Sequence, residues 1–254
     1  MTQTGPDGST DTANPTAAML VIGDEILSGR TRDANMHHLA GELTKHGIAL
    51  AEARFVTDET GAIAAAVRSL SDAHTYVFTS GGIGPTHDDI TADAVAQAFG
   101  AAIDVRDDAR AVLAAHYATT GIELNSARLR MARIPEGASL IDNPISAAPG
   151  FTLGNVHVMA GVPSIFRAML AGVLPKLVQG APLLSQSLTV ERAEGEIAGP
   201  LGALAAQFPD LSFGSYPMHD QRGYRVNVVV RGTDGARVDA AVSRLASDLS
   251  VGAP

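Results

Sequence analysis

Short apolar runs alternate with amphipathic segments along most of the chain. Apolar runs of strand length fall at residues 17–22, 48–56, 75–79, 139–141 and 156–159. Between them, apolar side chains recur at helical spacing over residues 34–46, 59–70, 92–99, 107–119, 125–131 and 164–178. Buried strands that alternate with helices are typical of a mainly parallel sheet covered on both faces. The pattern therefore predicts an α/β domain over residues 17–180.

The pattern changes after Gly180, Ala181 and Pro182, a turn-forming sequence that indicates a domain boundary. Strand candidates follow at residues 184–190, 211–216 and 224–231, and helix candidates at residues 196–208 and 238–249. This β-α-β-β-α order predicts a small α+β module over residues 183–254. Residues 1–16 are polar and contain glycine and proline, which predicts a disordered tail.

Composition narrows the possible chemistry and partners. The formal net charge is −9 and cysteine is absent, which excludes disulfides and thiolate metal sites. The negative charge disfavours binding to a polyanion, so we expect no nucleic-acid partner. No apolar window is long enough to span a bilayer, and the N-terminal residues lack the basic and apolar regions of a secretory signal. We therefore expect a cytoplasmic protein without a membrane partner.

The strongest chemical signal follows the third strand candidate. Residues 80–91 form a glycine-rich turn that contains Ser80, Gly81, Gly82, Gly84, Pro85 and Thr86. Glycines let a backbone approach a ligand closely, and the N–H groups of such a turn and of the helix after it attract an anion. The turn lacks the lysine of a Walker A loop and the third glycine of the dinucleotide-binding fingerprint. It predicts an anionic ligand at the carboxyl ends of the strands.

Two adjacent carboxylates, Asp88 and Asp89, lie inside this predicted anion site. Carboxylates repel a phosphate unless a divalent cation lies between them, which favours a metal site. A second interpretation makes Asp89 the cap of the following helix and Asp88 a solvated neighbour. The residues alone leave both interpretations open.

The loop after the first strand brings further polar groups to the same sheet edge, namely Gly23, Asp24, Glu25, Asp33 and Asn35. Asp33 could join a metal site, or it could cap the helix that follows it. Asp24 and Glu25 could simply be solvated. Asp58 stands directly before the next helix candidate, where we expect it to act as a cap.

Polar residues from later segments also qualify as ligand-binding candidates. Asn143 and Ser146 could hydrogen-bond a ligand or form an Asn-Pro turn. Arg128, Arg130 and Arg133 could hold a second phosphate or lie on a solvated helix face.

Four segments, in order, resemble the N-terminal domain of the competence/damage-inducible protein A (CinA) family: residues 23–35, 81–91, 143–151 and 160–163. The same superfamily contains the MoaB and Mog proteins of molybdenum cofactor synthesis and a domain of eukaryotic FAD synthases. The resemblance implies a three-layer, Mog-like α/β fold with its ligand at the strand ends. It also implies a KH-like C-terminal module, without the amidohydrolase domain of longer members, and a homo-oligomer.

The resemblance assigns roles to particular residues. Asp33 and Asp89 match acids that the superfamily shares, and Asp88 matches the CinA-type branch. Gly161, Val162 and Pro163 resemble the loop that approaches the phosphate side of the ligand in the family. The first proline of that family loop is replaced here by Ala160.

Three functions are compatible with these residues. The first is metal-dependent hydrolysis of a nucleotide pyrophosphate such as ADP-ribose or FAD, in which Asp33, Asp88 and Asp89 position Mg²⁺, Mn²⁺ or Co²⁺. The second is pterin binding or pterin adenylylation in molybdenum cofactor metabolism. The third is a regulatory module that binds a nucleotide without turning it over.

Overall fold

The computed structural model describes residues 14–220 and 223–249. The chain divides into two compact units, the first ending at Gly180 and the second beginning at Ala181. Of the disordered tail predicted over residues 1–16, residues 1–13 lie outside the described residues. Thr16 is not part of a tail, because it begins the first strand.

A mixed sheet forms the centre of the first unit. The strands of this unit are β1 (Thr16–Ile22), β2 (Ala49–Val56), β3 (Tyr76–Ser80), β4 (Ile103–Val105), β5 (Arg133–Pro135), β6 (Ser139–Ile141), β7 (Gly150–Leu153) and β8 (Val156–Met159). In the described part of the chain, six of them form one sheet in the order β2-β1-β3-β8-β7-β6. β2, β1, β3 and β8 run parallel, whereas β7 and β6 are antiparallel to their neighbours. The predicted α/β fold with a mainly parallel sheet is confirmed.

Helices cover both faces of this sheet. They are α1 (Asp24–Leu27), α2 (Asn35–Lys45), α3 (Thr60–Ala73), α4 (Thr91–Phe99), α5 (Asp107–Thr120), α6 (Ser126–Leu129) and α7 (Pro163–Val173). Alternate side chains of β1 point to opposite faces. Leu20 packs in the core with α3, α4 and α5, while Met19 packs in a second core with α2 and α7. Two buried cores on opposite sides of one sheet produce the predicted three layers.

The strand order reverses at β1. β2 pairs with one edge of β1, and β3, which follows β2 in sequence, pairs with the other edge. In open α/β sheets such a reversal leaves a crevice at the carboxyl ends of the strands, where ligands bind. Gly23 follows β1 and Gly81 follows β3, so the two loops with the strongest sequence signals flank this crevice.

The sequence pattern missed three short strands and overextended two helices. β4 and β5 form an antiparallel pair, and β7 lies between β6 and β8; each has only three or four residues, too few for a readable alternation. The helix predicted over residues 125–131 divides into α6 and a 3₁₀ turn, Arg130–Ala132. The helix predicted over residues 164–178 ends at Val173, because Pro175 has no N–H to continue it.

The second unit has the predicted β-α-β-β-α order. Its elements are β9 (Leu184–Val190), α8 (Glu194–Gln207), β10 (Ser212–Asp220), β11 (Gly223–Gly232) and α9 (Gly235–Asp248). The strands form an antiparallel sheet in the order β10-β11-β9. Alternate residues of β11, including Val228, are buried with α8 and α9 in one core. KH domains clamp a nucleic-acid backbone with a Gly-x-x-Gly loop. Gly199 and Gly202 have that spacing, but both lie inside α8 rather than in a loop.

His157 on β8 is a buried titratable residue of the first unit. Its ring centroid lies 5.1 Å from that of Phe78, and its Nδ1 lies 2.9 Å from Thr152 Oγ1. Burial lowers the pKa of His157 from 6.5 to about 4. A histidine whose folded-state pKa is lowered stabilises the fold fully above its unfolded-state pKa, and that contribution is lost as the pH falls toward the folded-state value.

We therefore expect acid to destabilise the first unit through His157. Between pH 7 and pH 4, the free energy of unfolding of the wild type should fall by about 3 kcal/mol more than that of His157→Gln, which does not titrate. Urea unfolding at both pH values measures this difference. The same pH dependence in both proteins would contradict the expectation.

Candidate functional site

A cleft of about 560 Å³ opens at the carboxyl ends of β1 and β3. That volume lies in the usual range for small-molecule sites. The predicted site residues that line it are Gly23, Glu25, Gly81, Gly82, Gly84, Pro85, Asp88, Asp89, Asn143, Ser146, Gly161, Val162 and Pro163. Residues from distant parts of the sequence therefore converge on one concave surface of the first unit.

The turn after β3 has a backbone shape that only glycine accommodates. Gly81 has a φ of 111°, and a Cβ there would lie 2.3 Å from the carbonyl oxygen of Ile22. Gly82 has a φ of 68°, and its Cβ would lie 2.1 Å from Thr91 Oγ1. Thr91 is buried and fixes the turn, because its hydroxyl donates to Gly81 O at 2.9 Å and its amide to Gly82 O at 3.0 Å. The turn thus holds one shape.

This turn presents three consecutive backbone amides to the cleft. The amide of Gly81 donates to Met159 O at 3.2 Å. The amides of Gly82, Ile83 and Gly84 make no hydrogen bond with any residue that the structure describes. All three residues line the cleft. Consecutive amides without acceptors are suited to binding an anion such as a phosphate.

Asp89 closes the far side of the same loop. Its Oδ2 accepts hydrogen bonds from the amide of Thr86 at 2.8 Å and from the Thr86 hydroxyl at 2.5 Å. The N-cap of α4 is Ile90, so Asp89 is not the helix cap that one interpretation expected. Gly84 leaves room for this carboxylate, since a Cβ at Gly84 would lie 2.6 Å from Asp89 Oδ2.

Asp58 is a site residue that the sequence pattern assigned wrongly. It does not cap α3, whose N-cap is Glu59 without a side-chain hydrogen bond. Asp58 Oδ2 instead accepts the amide of Asp24 at 2.9 Å, and Asp58 lines the cleft. The sequence position of Asp58, two residues after β2, could have identified it as a site residue, because β2 ends at the same edge of the sheet as β1 and β3.

The carboxylates around Asp58 set its protonation. Burial raises the pKa of Asp58, and the negative charges of Asp24, Glu25 and Asp88 raise it further, against the opposing hydrogen bond from the Asp24 amide. Glu25 and Asp88 line the cleft with Asp58, whereas Asp24 begins α1 and does not line it. A carboxylate with a raised pKa in a cleft is a candidate for proton transfer.

Asn35 holds three segments of the rim together. It is buried, and its Nδ2 donates to Ser80 Oγ and to Gly161 O, both at 2.7 Å. It therefore links the start of α2, the end of β3 and the loop before α7. Asn35 and Ser80 line a narrow passage beside the cleft rather than the cleft itself.

Asp33 does not join the other two predicted catalytic acids. Its carboxylate accepts the amides of Asn35 at 3.3 Å and Met36 at 3.0 Å, so it is held by the first turn of α2, whose N-cap is Ala34. It lines the passage and a neighbouring depression, but not the cleft that Asp88 and Asp89 line. Among the described residues, no three His, Cys, Asp or Glu side chains form a group that could hold a metal ion. The predicted three-carboxylate metal site is therefore not formed.

The remaining candidates have mainly local partners. Asn143 Oδ1 accepts the amides of Ile145 and Ser146 at 3.1 Å, and its Nδ2 donates to Ser146 Oγ at 2.7 Å, which is the expected turn. Arg130 donates to the carbonyl oxygen of Asp89 at 3.3 Å and thereby supports the glycine-rich loop. Arg133 pairs with Asp93.

Residues 18–179 match the family model described as "Probable molybdopterin binding domain". The chain belongs to this family. A solved structure described as the protein CinA with unknown function, from Thermoplasma acidophilum, superposes on this chain with a TM-score of 0.59 and 33% identity. The superposed region covers 63% of this chain and 98% of the chain in that structure. The resemblance to the CinA family is thereby confirmed.

Relatives of this family differ in length. A CinA-like protein of Gemmatimonas aurantiaca is 34% identical over 88% of this chain, and a "Probable FAD synthase" of Caenorhabditis elegans is 32% identical over 91% of it. The chain spans 56% and 49% of those two proteins, respectively. A protein of Archaeoglobus fulgidus is 30% identical to this chain, and the match covers 94% of the length of that protein.

The second unit has a separate match. Residues 182–253 match a model described as "FAD synthase, middle domain". This match is compatible with the KH-like module that the resemblance implied. In the part of the chain that the structure describes, no helix is both long enough and apolar enough to cross a bilayer.

Proposed function

We propose that the first unit binds a nucleotide pyrophosphate in the cleft and hydrolyses it with release of AMP. The observation that carries this proposal is the row of amides at Gly82, Ile83 and Gly84 on the wall of the cleft, which donate to no residue that the structure describes. Such amides bind phosphate oxygens and stabilise the negative charge that develops on them during phosphoryl transfer.

In this proposal a carboxylate of the cleft accepts a proton from the attacking water. Water attacks one phosphorus, the bond to the bridging oxygen breaks, and the water proton passes to a carboxylate. Asp58 is the group best suited to accept it, because its raised pKa favours proton uptake near neutral pH more than that of an ordinary aspartate. ADP-ribose would yield AMP and ribose 5-phosphate, and FAD would yield AMP and FMN.

The proposal includes no preformed metal site. Mg²⁺ is often held by one or two carboxylates together with the phosphates of a substrate, so Mg²⁺, Mn²⁺ or Co²⁺ could enter with the ligand. Asp88 and Asp89 are the carboxylates beside the glycine-rich turn that could contact such an ion. A bound divalent ion would add charge neutralisation at the phosphates.

The names of relatives support an adenine-dinucleotide ligand. The C. elegans relative is a "Probable FAD synthase", and the second unit matches the middle domain of FAD synthase. A pterin ligand is the second candidate, favoured by the description of the family model that matches residues 18–179. The apolar side chains of Ile22, Met131 and Ile165 along the cleft could pack against a pterin, a flavin or an adenine.

Incubation of the purified chain with FAD, ADP-ribose and ATP, with and without Mg²⁺, Mn²⁺ or Co²⁺, tests the proposal. We expect AMP release from a pyrophosphate, and about 100-fold slower release by Asp89→Ala, because the loop loses the acceptor that positions Thr86. Asp89→Asn keeps an oxygen acceptor for Thr86, so its rate of AMP release should fall less than that of Asp89→Ala.

Other outcomes select among the alternatives. Tight binding of a pterin without AMP release would replace hydrolysis by a pterin function. Nucleotide binding without turnover under every metal condition would indicate a sensing module. Failure to bind any nucleotide or pterin would overturn the assignment of the cleft.

A further inference from the structure

The cleft continues into a second concave surface of the first unit. At its end a narrow passage of about 60 Å³ shares Glu25, Thr31, Gly161 and Pro163 with the cleft. The passage in turn shares Arg32, Asp33 and Ala34 with an open depression of about 490 Å³. The shared lining places the cleft, the passage and the depression next to one another, and the three together are called the groove below.

Two arginines line the depression. Arg32 and Arg167 are exposed, and neither makes an ion pair or hydrogen bond with the residues described by the structure. The two carboxylates of the depression are already engaged. Asp33 accepts backbone amides of α2, and Glu42 pairs with Lys45 at 2.7 Å. The guanidinium groups are therefore the charges that remain available to a ligand.

Two histidines complete the lining. Burial and the charge of Arg167 lower the pKa of His38, so its ring is neutral at pH 7 and can serve as a hydrogen-bonding group. His37 lies beside it and is exposed. The depression therefore offers two guanidinium groups and two imidazole rings beside carboxylates that already have donors, and guanidinium groups are suited to binding a phosphate.

The depression lies within reach of a ligand in the cleft. α2 begins at Asn35 and α7 at Pro163, and both residues line the passage, so the positive ends of two helix dipoles lie there. Arg167 follows Pro163 by four residues, an axial rise of about 6 Å, and His38 follows Asn35 by three, about 4.5 Å. These distances are comparable to the span of one ribose.

We propose that this depression, which we call the Arg32–Arg167 depression, binds a phosphate monoester carried by the nucleotide pyrophosphate in the cleft. The preferred substrate is then a nucleotide pyrophosphate with an additional terminal phosphate, rather than plain ADP-ribose or FAD. This inference rests on the proposed function, since it needs the pyrophosphate to lie in the cleft.

Binding of two matched probes, ADP-ribose and its 2′-phosphate, tests the inference by isothermal titration calorimetry at pH 7. We expect the wild type to bind the phosphorylated probe about tenfold more tightly, because each arginine adds a charge-assisted contact. The double variant Arg32→Gln/Arg167→Gln should bind both probes equally, with its affinity for ADP-ribose unchanged. Arg110→Gln, an exposed arginine on α5 outside the groove, is the control and should retain the difference.

The outcomes separate this inference from the proposed function. Equal affinity of the wild type for both probes would overturn the inference and leave the cleft assignment intact. A preference that survives in the double variant would also overturn it. Binding of neither probe to the wild type would overturn this inference, and an accompanying failure to bind FAD would overturn the proposed function with it.

Discussion

Gly81→Ala should destabilise the first unit by about 2–5 kcal/mol and abolish binding in the cleft. The added Cβ would lie 2.3 Å from the carbonyl oxygen of Ile22, a backbone atom of β1 that cannot move without shifting the sheet. The residue would also have to keep a φ of 111°, which an L-amino acid rarely adopts. Overpacking and backbone strain of this kind each cost about 1–3 kcal/mol.

Urea unfolding followed by circular dichroism measures the loss of stability, and equilibrium dialysis with ADP-ribose measures binding. Gly41→Ala is the matched control, because Gly41 lies inside α2 and nothing lies within 4 Å of the position of its Cβ. We expect that control to be neutral or stabilising by up to about 1 kcal/mol. A Gly81→Ala protein as stable as Gly41→Ala, with unchanged binding, would show that the turn does not have the described shape.

Asp58→Asn should slow AMP release by about 100-fold or more while stabilising the fold at neutral pH. The loss of rate follows from the loss of the proton acceptor in the proposed reaction. The gain in stability follows from the raised pKa of Asp58, since ionising it costs more in the folded chain than in the unfolded chain. That cost appears as the pH rises through the unfolded-state pKa, and asparagine removes it while retaining an oxygen for the Asp24 amide.

Two measurements test the Asp58 prediction separately. When the rate of AMP release by the wild type is measured against pH, the rate should fall on the acid side at a pH above the ordinary range of aspartate pKa values, which is near 4. Thermal unfolding at pH 7.5 should give a higher Tm for Asp58→Asn than for wild type. Asp72→Asn, on the exposed side of α3, is the control and should change neither quantity. An unchanged rate in Asp58→Asn would remove Asp58 from the reaction, whereas a lower Tm would contradict the repulsion among these carboxylates.

The glycine-rich turn could be predicted from sequence because its chemistry is contiguous. Gly81, Gly82 and Gly84 follow directly on an apolar strand, and the position of ligands at strand ends is a property of the fold class. Strand order was not readable in the same way. That β1 lies between β2 and β3 depends on pairing between distant segments.

The acids illustrate where prediction from one sequence stops. Asp33 and Asp58 both lie in loops shortly before helices, so the sequence allows either to be a cap or a site residue. In the structure Asp33 accepts two amides of the first turn of α2, whereas Asp58 lies in the cleft and accepts the amide of Asp24 beside β1. The direction of a loop side chain depends on which strand lies beside the loop, and the spacing of residues along the chain does not show which strand that is.

The side chain of Asn35 has a consequence for the motions of the rim. Because one amide group donates to both Ser80 and Gly161, detaching the start of α2 breaks both hydrogen bonds at once, and detaching either of the other two segments breaks one of them. Opening of the rim should then be cooperative rather than piecemeal. Hydrogen exchange at the start of α2, the end of β3 and the loop before α7 would proceed at a common rate, and Asn35→Ala would uncouple the three.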